Sequence, residues 1–306
     1  MTKMRTRSFQ AMTNYEIEKY LEKNDVIFVP VGNAEMHGAF PVDCEYVVAE
    51  AYARLFAEQC DAIYMANNIY LYAGGTENGR GTVQMTPKQS AEYMYNIAYS
   101  LLRQGFRRQV YIPSHGASTL FMHPVIHQIM CDTKVPMLML EPNHLFAAKG
   151  LTKPFNRLSK TPRVWDGKIL SDEEGLGCHA KMLGAYQICG RLDDIPQHGE
   201  QNIPETLTMP GMLVNNFFPE HDIINECSGV HCPAPFFYKD YWNHGAPALP
   251  DNPEDIKREA DIGEAELRRL VDGVDLNVHL NILRKLDGYI QNEVMPKHGD
   301  HLYVNR

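Results

Sequence analysis

The chain has 306 residues, of which 44% are hydrophobic and 22% are charged. This composition is typical of a globular protein with a sizeable core, and we predict one domain spanning residues 1–306. The net charge of −9 argues against nucleic acids and anionic membrane surfaces as partners.

Neither the apolar segments nor the cysteines indicate a membrane-bound or secreted protein. No apolar run approaches the roughly 20 residues of a membrane helix, and the basic N-terminal residues precede no apolar run. The seven cysteines are scattered, without a C-x-x-C pair. We therefore expect a cytoplasmic protein with reduced thiols.

The first 140 residues alternate between helical and extended patterns. The capping box of Thr13 and Glu16 predicts a helix start, and Thr86 with Pro87 predicts another. The predicted elements are a helix over 15–23, a strand over 26–31, a helix over 46–59, a strand over 62–71, a helix from 87 to 104, a strand over 109–113, a helix over 120–131 and a strand over 135–140. This alternation favours an α/β domain with a mainly parallel sheet.

The second half has a weaker pattern. Residues 153–175 are polar and loop-like, and residues 179–190 favour a helix. A loop-rich insertion follows at about 190–252, rich in proline and aromatic residues towards its end. So long a loop is typical of a functional segment or an oligomer contact. Residues 253–294 read as helices.

Acids and histidines are concentrated where two predicted strands end. Glu35 and His37 follow the strand over 26–31 with E-x-H spacing, so on extended backbone their side chains point the same way. Glu45 lies at the start of the next helix, and His115 follows the strand over 109–113. Ligands of parallel sheets bind at such strand ends, and imidazole with carboxylate suits zinc or manganese.

Three motifs resemble the creatininase (creatinine amidohydrolase) family. The family patterns are E-x-H-G-x-H-L-P followed by an acid that opens a helix, G-T-x-x-x-x-P, and N-G-H-G-G-N after a strand. The matching segments are 35–41, 81–87 and 113–118. A fourth pattern, H-A-G-E, is kept only in His179 and Ala180.

The resemblance implies a three-layer α/β/α sandwich and a hydrolase with two divalent metal ions, zinc or manganese. Glu35 would bind one ion, and His37 with His115 the other. Glu45 would bridge the ions, and His179 would carry a proton to the leaving group. Family members form hexamers, so we expect a homo-oligomer acting on a small molecule.

Two features of the ligand set stay open at this point. Aligning backward from Ala49 favours Glu45 as the bridging acid, at the cost of a one-residue deletion, and Asp43 is the alternative. The family's further glutamates are also missing, because their positions hold Ala117, Met182 and Gly184. Replacements would come from Glu173, Glu174 or Glu205, or else the site holds a single ion.

Two other segments have competing interpretations. The glycine-rich run 72–81 lacks the Lys-Ser/Thr of a phosphate-binding loop. We interpret it as a loop at the mouth of the site, with Glu77 contacting substrate, or as a plain turn. Cys178 and His179 are adjacent on a helix and diverge by about 100°, which argues against a nucleophile–base pair.

The resulting expectation is a hydrolase that attacks a carbonyl of a small cyclic polar substrate. The bond would be the C–N bond of a cyclic amide, or a ring bond of a cyclic polyol ketone such as an inosose. The alternatives are a non-catalytic sugar- or metal-binding protein on a decayed hydrolase scaffold, and a structural subunit without metal.

Overall fold

The computed structural model describes residues 4–37, 39–74, 76, 79–152, 178–197, 249–250 and 252–303, except for the side chains of Cys178 and His179. The strands in this part are β1 (Val26–Val31), β2 (Ile63–Tyr64), β3 (Arg108–Pro113) and β4 (Leu138–Met139). The α-helices are α1 (Asn14–Leu21), α2 (Cys44–Gln59), α3 (Pro87–Arg103), α4 (Ser118–Thr133), α5 (Pro142–Ala148), α6 (Cys178–Ile188), α7 (Pro253–Asp272), α8 (Leu276–Tyr289) and α9 (Met295–His298). A π-helical stretch, Ile290–Val294, joins α8 to α9.

The described strands form one parallel sheet in the order β2-β1-β3-β4. All six residues of β1 are buried, as expected for a central strand covered on both faces. Alternate β1 residues enter two separate cores: Val26 and Phe28 face one, and Ile27 and Val29 face the other. The sheet therefore forms the middle layer of an α/β/α sandwich, which confirms the predicted fold class.

The helices divide between the two cores. Helices α2, α6 and α7 pack on one face, whereas α1, α3 and α4 pack on the other. The capping box of Thr13 and Glu16 opens α1 as predicted. Thr86 caps α3 in the same way, with Pro87 at its first position.

Helices α6 and α7 cross at a contact between glycines. A Cβ added at Gly184 would lie 2.2 Å from the carbonyl carbon of Gly263. A Cβ added at Gly263 would lie 1.7 Å from the carbonyl oxygen of Ala180. Real Cβ atoms do not approach backbone so closely, so the two helices reach this separation only because both residues are glycine.

Two strands are shorter than predicted. The expected strand over 62–71 pairs only at Ile63–Tyr64, because Asn67 adopts a left-handed φ of 73° and the chain leaves the sheet. The expected strand over 135–140 is reduced to Leu138–Met139, after Pro136, which has no N–H to donate. The helix expected over 179–190 is found as α6.

Two loop predictions lie outside the described residues. These are the loop over 153–175 and most of the insertion at 190–252. Among the described helices, none has both the length and the apolar character needed to cross a bilayer.

Candidate metal centre

The candidate centre begins where β1 ends and α2 starts. A Cβ added at Gly32 would lie 2.5 Å from the Cα of Tyr46. Only glycine allows the exit of β1 to approach α2 this closely. The contact brings Glu45, the neighbour of Tyr46 in the first turn of α2, next to the segment that follows β1.

The segment carrying Glu35 and His37 is held by backbone hydrogen bonds on both sides. The Val83 N–H donates to the Ala34 carbonyl at 3.0 Å, and the Glu35 N–H donates to the Val42 carbonyl at 2.8 Å. The Met36 N–H donates to Oγ1 of Thr82 at 3.1 Å. Thr82 belongs to the second family motif, so that motif fixes the backbone of the first.

Three of the predicted ligands lie together. Glu35, His37 and Glu45 each offer one ligand atom, and these atoms all lie within 4.8 Å of one another. Glu35 is 1% exposed and His37 is 5% exposed. Charged groups are this deeply buried only when something compensates them. Part of the compensation at Glu35 comes from Thr76, whose hydroxyl donates to Oε2 at 2.7 Å.

His115, at the end of β3, completes the group. Its Nε2–H donates to the Ala73 carbonyl at 3.0 Å. Its Nδ1 lies 3.3 Å from Oε1 of Glu35 and in direct contact with Oε2 of Glu45. A carbonyl only accepts, so Ala73 fixes the proton on Nε2, and the second nitrogen faces the two acids.

The electrostatics of the protein chain alone favour a positive charge between these groups. Burial of His115 disfavours its charged form, but the Glu45 carboxylate outweighs burial and raises the pKa of His115 to about 9. Burial likewise disfavours the charged form of Glu45, and the charge of His115 reverses this and lowers the pKa of Glu45 below its ordinary value. A proton on His115 supplies the positive charge here.

A divalent cation fits the same position chemically. The donor set is two carboxylates and two imidazoles, the ligand types preferred by zinc and manganese. Glu35 and His37 are buried, Glu45 and His115 are partly exposed, and His115 presents Nδ1 to the acids. The arrangement is therefore suited to a metal ion that replaces the proton.

Asp43, the alternative bridging acid, contacts different residues. Its Oδ1 accepts a hydrogen bond from the Tyr186 hydroxyl at 2.7 Å. Its Oδ2 forms an ion pair with Nη1 of Arg191, also at 2.7 Å. Asp43 precedes α2 and ties it to α6 and the residues that follow α6, whereas Glu45 contacts His115.

For the other predicted site residues, the side chains lie outside the described part of the structure. Glu77 lies outside it, as do the three acids considered as replacements, Glu173, Glu174 and Glu205. His179 lies in the first turn of α6, but its side chain is outside the description.

The three positions that lack the family's glutamates lie at a helix start, in the core and at a helix–helix contact. Ala117 is the N-cap residue of α4. Met182 is buried in the core on the α2 side of the sheet. Gly184 lies in the α6–α7 glycine contact. None of these positions offers a carboxylate, so the described chain supplies two acids to the centre.

Sequence reasoning missed two groups at the centre, the Ala73 carbonyl and the Thr76 hydroxyl. Both lie in the glycine-rich run 72–81, which the sequence placed at the site mouth. A backbone carbonyl has no sequence signature. The signal available in the sequence was a threonine beside Glu77 in a glycine-rich loop. Its burial, at 2% exposure, is seen only in the structure.

The sequence matches one protein family and one curated protein. The sequence profile of the family described as creatinine amidohydrolase matches residues 10–183. The 3-dehydro-scyllo-inosose hydrolase of Thermotoga maritima is 26% identical over 165 residues, covering 51% of this chain and 51% of that protein. The chain thus aligns with about half the length of this curated relative.

Solved creatininase structures share the fold. One creatinine amidohydrolase crystal structure has a TM-score of 0.55 and 19% identity, covering 94% of this chain and 98% of that chain. A mutant creatininase of Zn-Zn type has a TM-score of 0.56 and 18% identity, covering 88% and 98%. Because the family profile spans more than half of the 306 residues, the chain belongs to the creatininase family.

Proposed function

We propose that this protein is a metal-dependent hydrolase that attacks a carbonyl of a small cyclic polar substrate. The observation that carries the proposal is the convergence of Glu35, His37, Glu45 and His115. These residues come from the exit of β1, the start of α2 and the end of β3. Ligands of open α/β sheets bind outside the carboxyl ends of the strands, which is where these residues lie.

In this proposal the four residues hold a zinc or manganese ion, or two ions. When bound, such an ion polarises a carbonyl and lowers the pKa of water. The chain's own groups orient the site: Ala73 selects the tautomer of His115, and Thr76 holds Glu35. The zinc form of a solved family member supports this choice of metal.

His179 is proposed to carry a proton to the leaving group. The support is its position in the family motif, at the start of α6. Glu77 is proposed to contact substrate from the glycine-rich loop. Both roles rest on the resemblance.

Two substrate classes are consistent with the proposal: cyclic amides and cyclic polyol ketones. The family description names creatinine, a cyclic amide. The Thermotoga maritima relative is named for 3-dehydro-scyllo-inosose, a cyclic polyol ketone. We favour a polyol ketone or a lactam over creatinine itself, because the segments His115–Ser118 and His179–Met182 depart from the family patterns.

The proposal is tested by measuring turnover of cyclic amides and inososes before chelation, after chelation and after return of Zn²⁺ or Mn²⁺. We expect activity that the chelator abolishes and the metal restores. Turnover that survives complete metal removal would contradict the metal-dependent mechanism.

A non-catalytic sugar- or metal-binding role is the second candidate. It is favoured by Ala117, Met182 and Gly184, which replace the family's glutamates. The same screen separates it from the first, because it predicts metal uptake without turnover of any substrate. A protein that binds neither Zn²⁺ nor Mn²⁺ would contradict the hydrolase and the metal-binding role.

A further inference from the structure

Two polar side chains beside the candidate centre are fully buried without hydrogen-bond partners among the residues that the structure describes. Asn33, which follows β1 by two residues, is 0% exposed, and within the described residues neither Oδ1 nor Nδ2 is bonded. Ser118, the first residue of α4, is also 0% exposed, and its Oγ is likewise unbonded there. An asparagine amide brings two donors and one acceptor oxygen into the interior, so this burial opposes folding.

Both residues adjoin the proposed ligands along the backbone. The register of β1 and β3 ends at the pair Val31 and Pro113. Asn33 and His115 each lie two residues beyond that pair, and Glu35 lies two residues beyond Asn33. The Ser118 N–H donates to the His115 carbonyl at 3.1 Å. The two unbonded side chains therefore flank the segments that carry Glu35 and His115.

The lack of partners is not general at this edge of the sheet. Asn68 is also buried, at 2% exposure, and its Nδ2 donates to the Pro30 carbonyl at 3.3 Å. Its backbone carbonyl accepts from the Gly32 N–H at 3.2 Å. Asn68 is thus bonded in the usual way, whereas Asn33 has no side-chain hydrogen bond within the described part of the chain.

The proposed ligands must rearrange when an ion enters. His115 and Glu45 are in direct hydrogen-bond contact in the protein alone. Two ligands of one zinc ion, each about 2.0–2.2 Å from it, stand farther apart than a hydrogen-bonded pair. If both residues ligate one ion, the distance between them must increase. The backbone carbonyl of His115 accepts the hydrogen bond from the Ser118 N–H, so Ser118 is coupled to that change.

We propose that Asn33 and Ser118 are positioning residues whose hydrogen bonds form in the metal-loaded protein and hold Glu35 and His115 in their ligand positions. This inference rests on the proposed function, because it requires the centre to bind a cation. It gives a role in the metal-loaded protein to the buried Asn33 amide, which has no hydrogen-bond partner among the described residues. Removing an unbonded buried amide relieves its desolvation cost, whereas removing a bonded one does not.

The test compares Asn33→Leu, which is close in shape to asparagine, with Asn68→Leu as the matched control. For Asn33→Leu we expect the melting temperature of the chelated protein to stay unchanged or rise. We expect its Kd for Zn²⁺, measured by titration calorimetry or chelator competition, to weaken about tenfold or more. Ser118→Ala should change both quantities in the same directions. Asn68→Leu should lower the melting temperature of both forms and leave the Kd unchanged.

Several results would overturn the inference. One is a wild-type Kd in Asn33→Leu. Another is a fall in the chelated melting temperature as large as that of Asn68→Leu. If Asn33→Leu does not fold, Asn33→Ala is measured, and failure of both to fold would show a purely structural role. If the wild-type protein takes up no Zn²⁺ or Mn²⁺, the proposed function itself fails. Metal uptake by the wild type is measured before any variant, so this failure is distinguished from a failure of the inference about Asn33 and Ser118.

Discussion

The Ala73 carbonyl accepts a hydrogen bond from Nε2 of His115 at 3.0 Å, and this bond decides which ring nitrogen faces Glu35 and Glu45. A neutral imidazole has one N–H and one lone pair. Because the N–H of His115 donates to Ala73, the lone pair on Nδ1 faces two carboxylates. This arrangement is repulsive unless a cation or a proton lies between Nδ1 and the carboxylates. The glycine-rich loop thus sets the chemistry of a residue 42 positions away.

Loss of the proposed ligands should remove the metal. We expect Glu35→Ala and His37→Ala, singly and together, to lower the bound Zn²⁺ or Mn²⁺ measured by elemental analysis, because each deletes one donor from a buried set. His301→Ala is the control, since His301 has a largely exposed side chain far along the chain. Normal metal content in the double variant would contradict the ligand assignment. His179→Ala should lose activity and keep its metal.

Glu45 and Asp43 should differ in what their loss changes. Glu45→Gln removes a charge in contact with His115 and should reduce metal content. Asp43→Asn removes the ion pair with Arg191 and should keep the metal, while lowering the free energy of unfolding by about 1–2 kcal/mol. Metal analysis and urea unfolding of both variants check this. A metal-free Asp43→Asn with a fully loaded Glu45→Gln would reverse the assignment.

The metal-free protein should lose stability as the pH rises above neutrality. The pKa of His115 is about 9, above its ordinary value of 6.5. A pKa raised by folding stabilises the native state fully below pH 6.5, and that contribution disappears as the pH rises to about 9. The melting temperature of the chelated wild type should therefore fall more steeply over this interval than that of His115→Gln. Parallel curves would show that the pair contributes nothing.

The glycine contact between α6 and α7 should tolerate no added carbon. Gly184→Ala and Gly263→Ala place a Cβ within 2.2 Å of the opposing backbone, so the helices must separate. We expect a loss of about 1–3 kcal/mol or more in the free energy of unfolding. Gly288→Ala is the matched control, because a Cβ there meets nothing within 4 Å and alanine favours the helix by about 0.5–1 kcal/mol. Equal effects of the three substitutions would contradict this account.

The elements nearest the centre were the most predictable from sequence. The continuous apolar run of β1 and the capping boxes of α1 and α3 are local signals, and the structure confirms them. The E-x-H spacing and the strand-end position of His115 predicted that these residues meet, and they do lie together. The homo-oligomer, the cytoplasmic location and the single-domain organisation stay predictions.

The relationships that the sequence did not reveal depend on contacts distant in the chain. Asp43 accepts hydrogen bonds from Tyr186 and Arg191, which lie more than 140 residues away in the chain. The sequence around Asp43 contains no signal for these contacts. The orientation of His115 depends on a backbone carbonyl, which every residue has. The strand expected over 62–71 ends early because Asn67 is left-handed, a conformation that asparagine permits but does not require.

The contact between Gly32 and Tyr46 has a consequence for how the family pattern varies in length. Both ends of the connection between β1 and α2 are fixed, one by this contact and the other by the bond from Glu35 to Val42. Between these points Ala39 and Phe40 are buried in the core on the α2 side of the sheet, so packing also constrains the connection. The one-residue deletion relative to the family pattern falls between these two fixed points, which hold the exit of β1 against the start of α2.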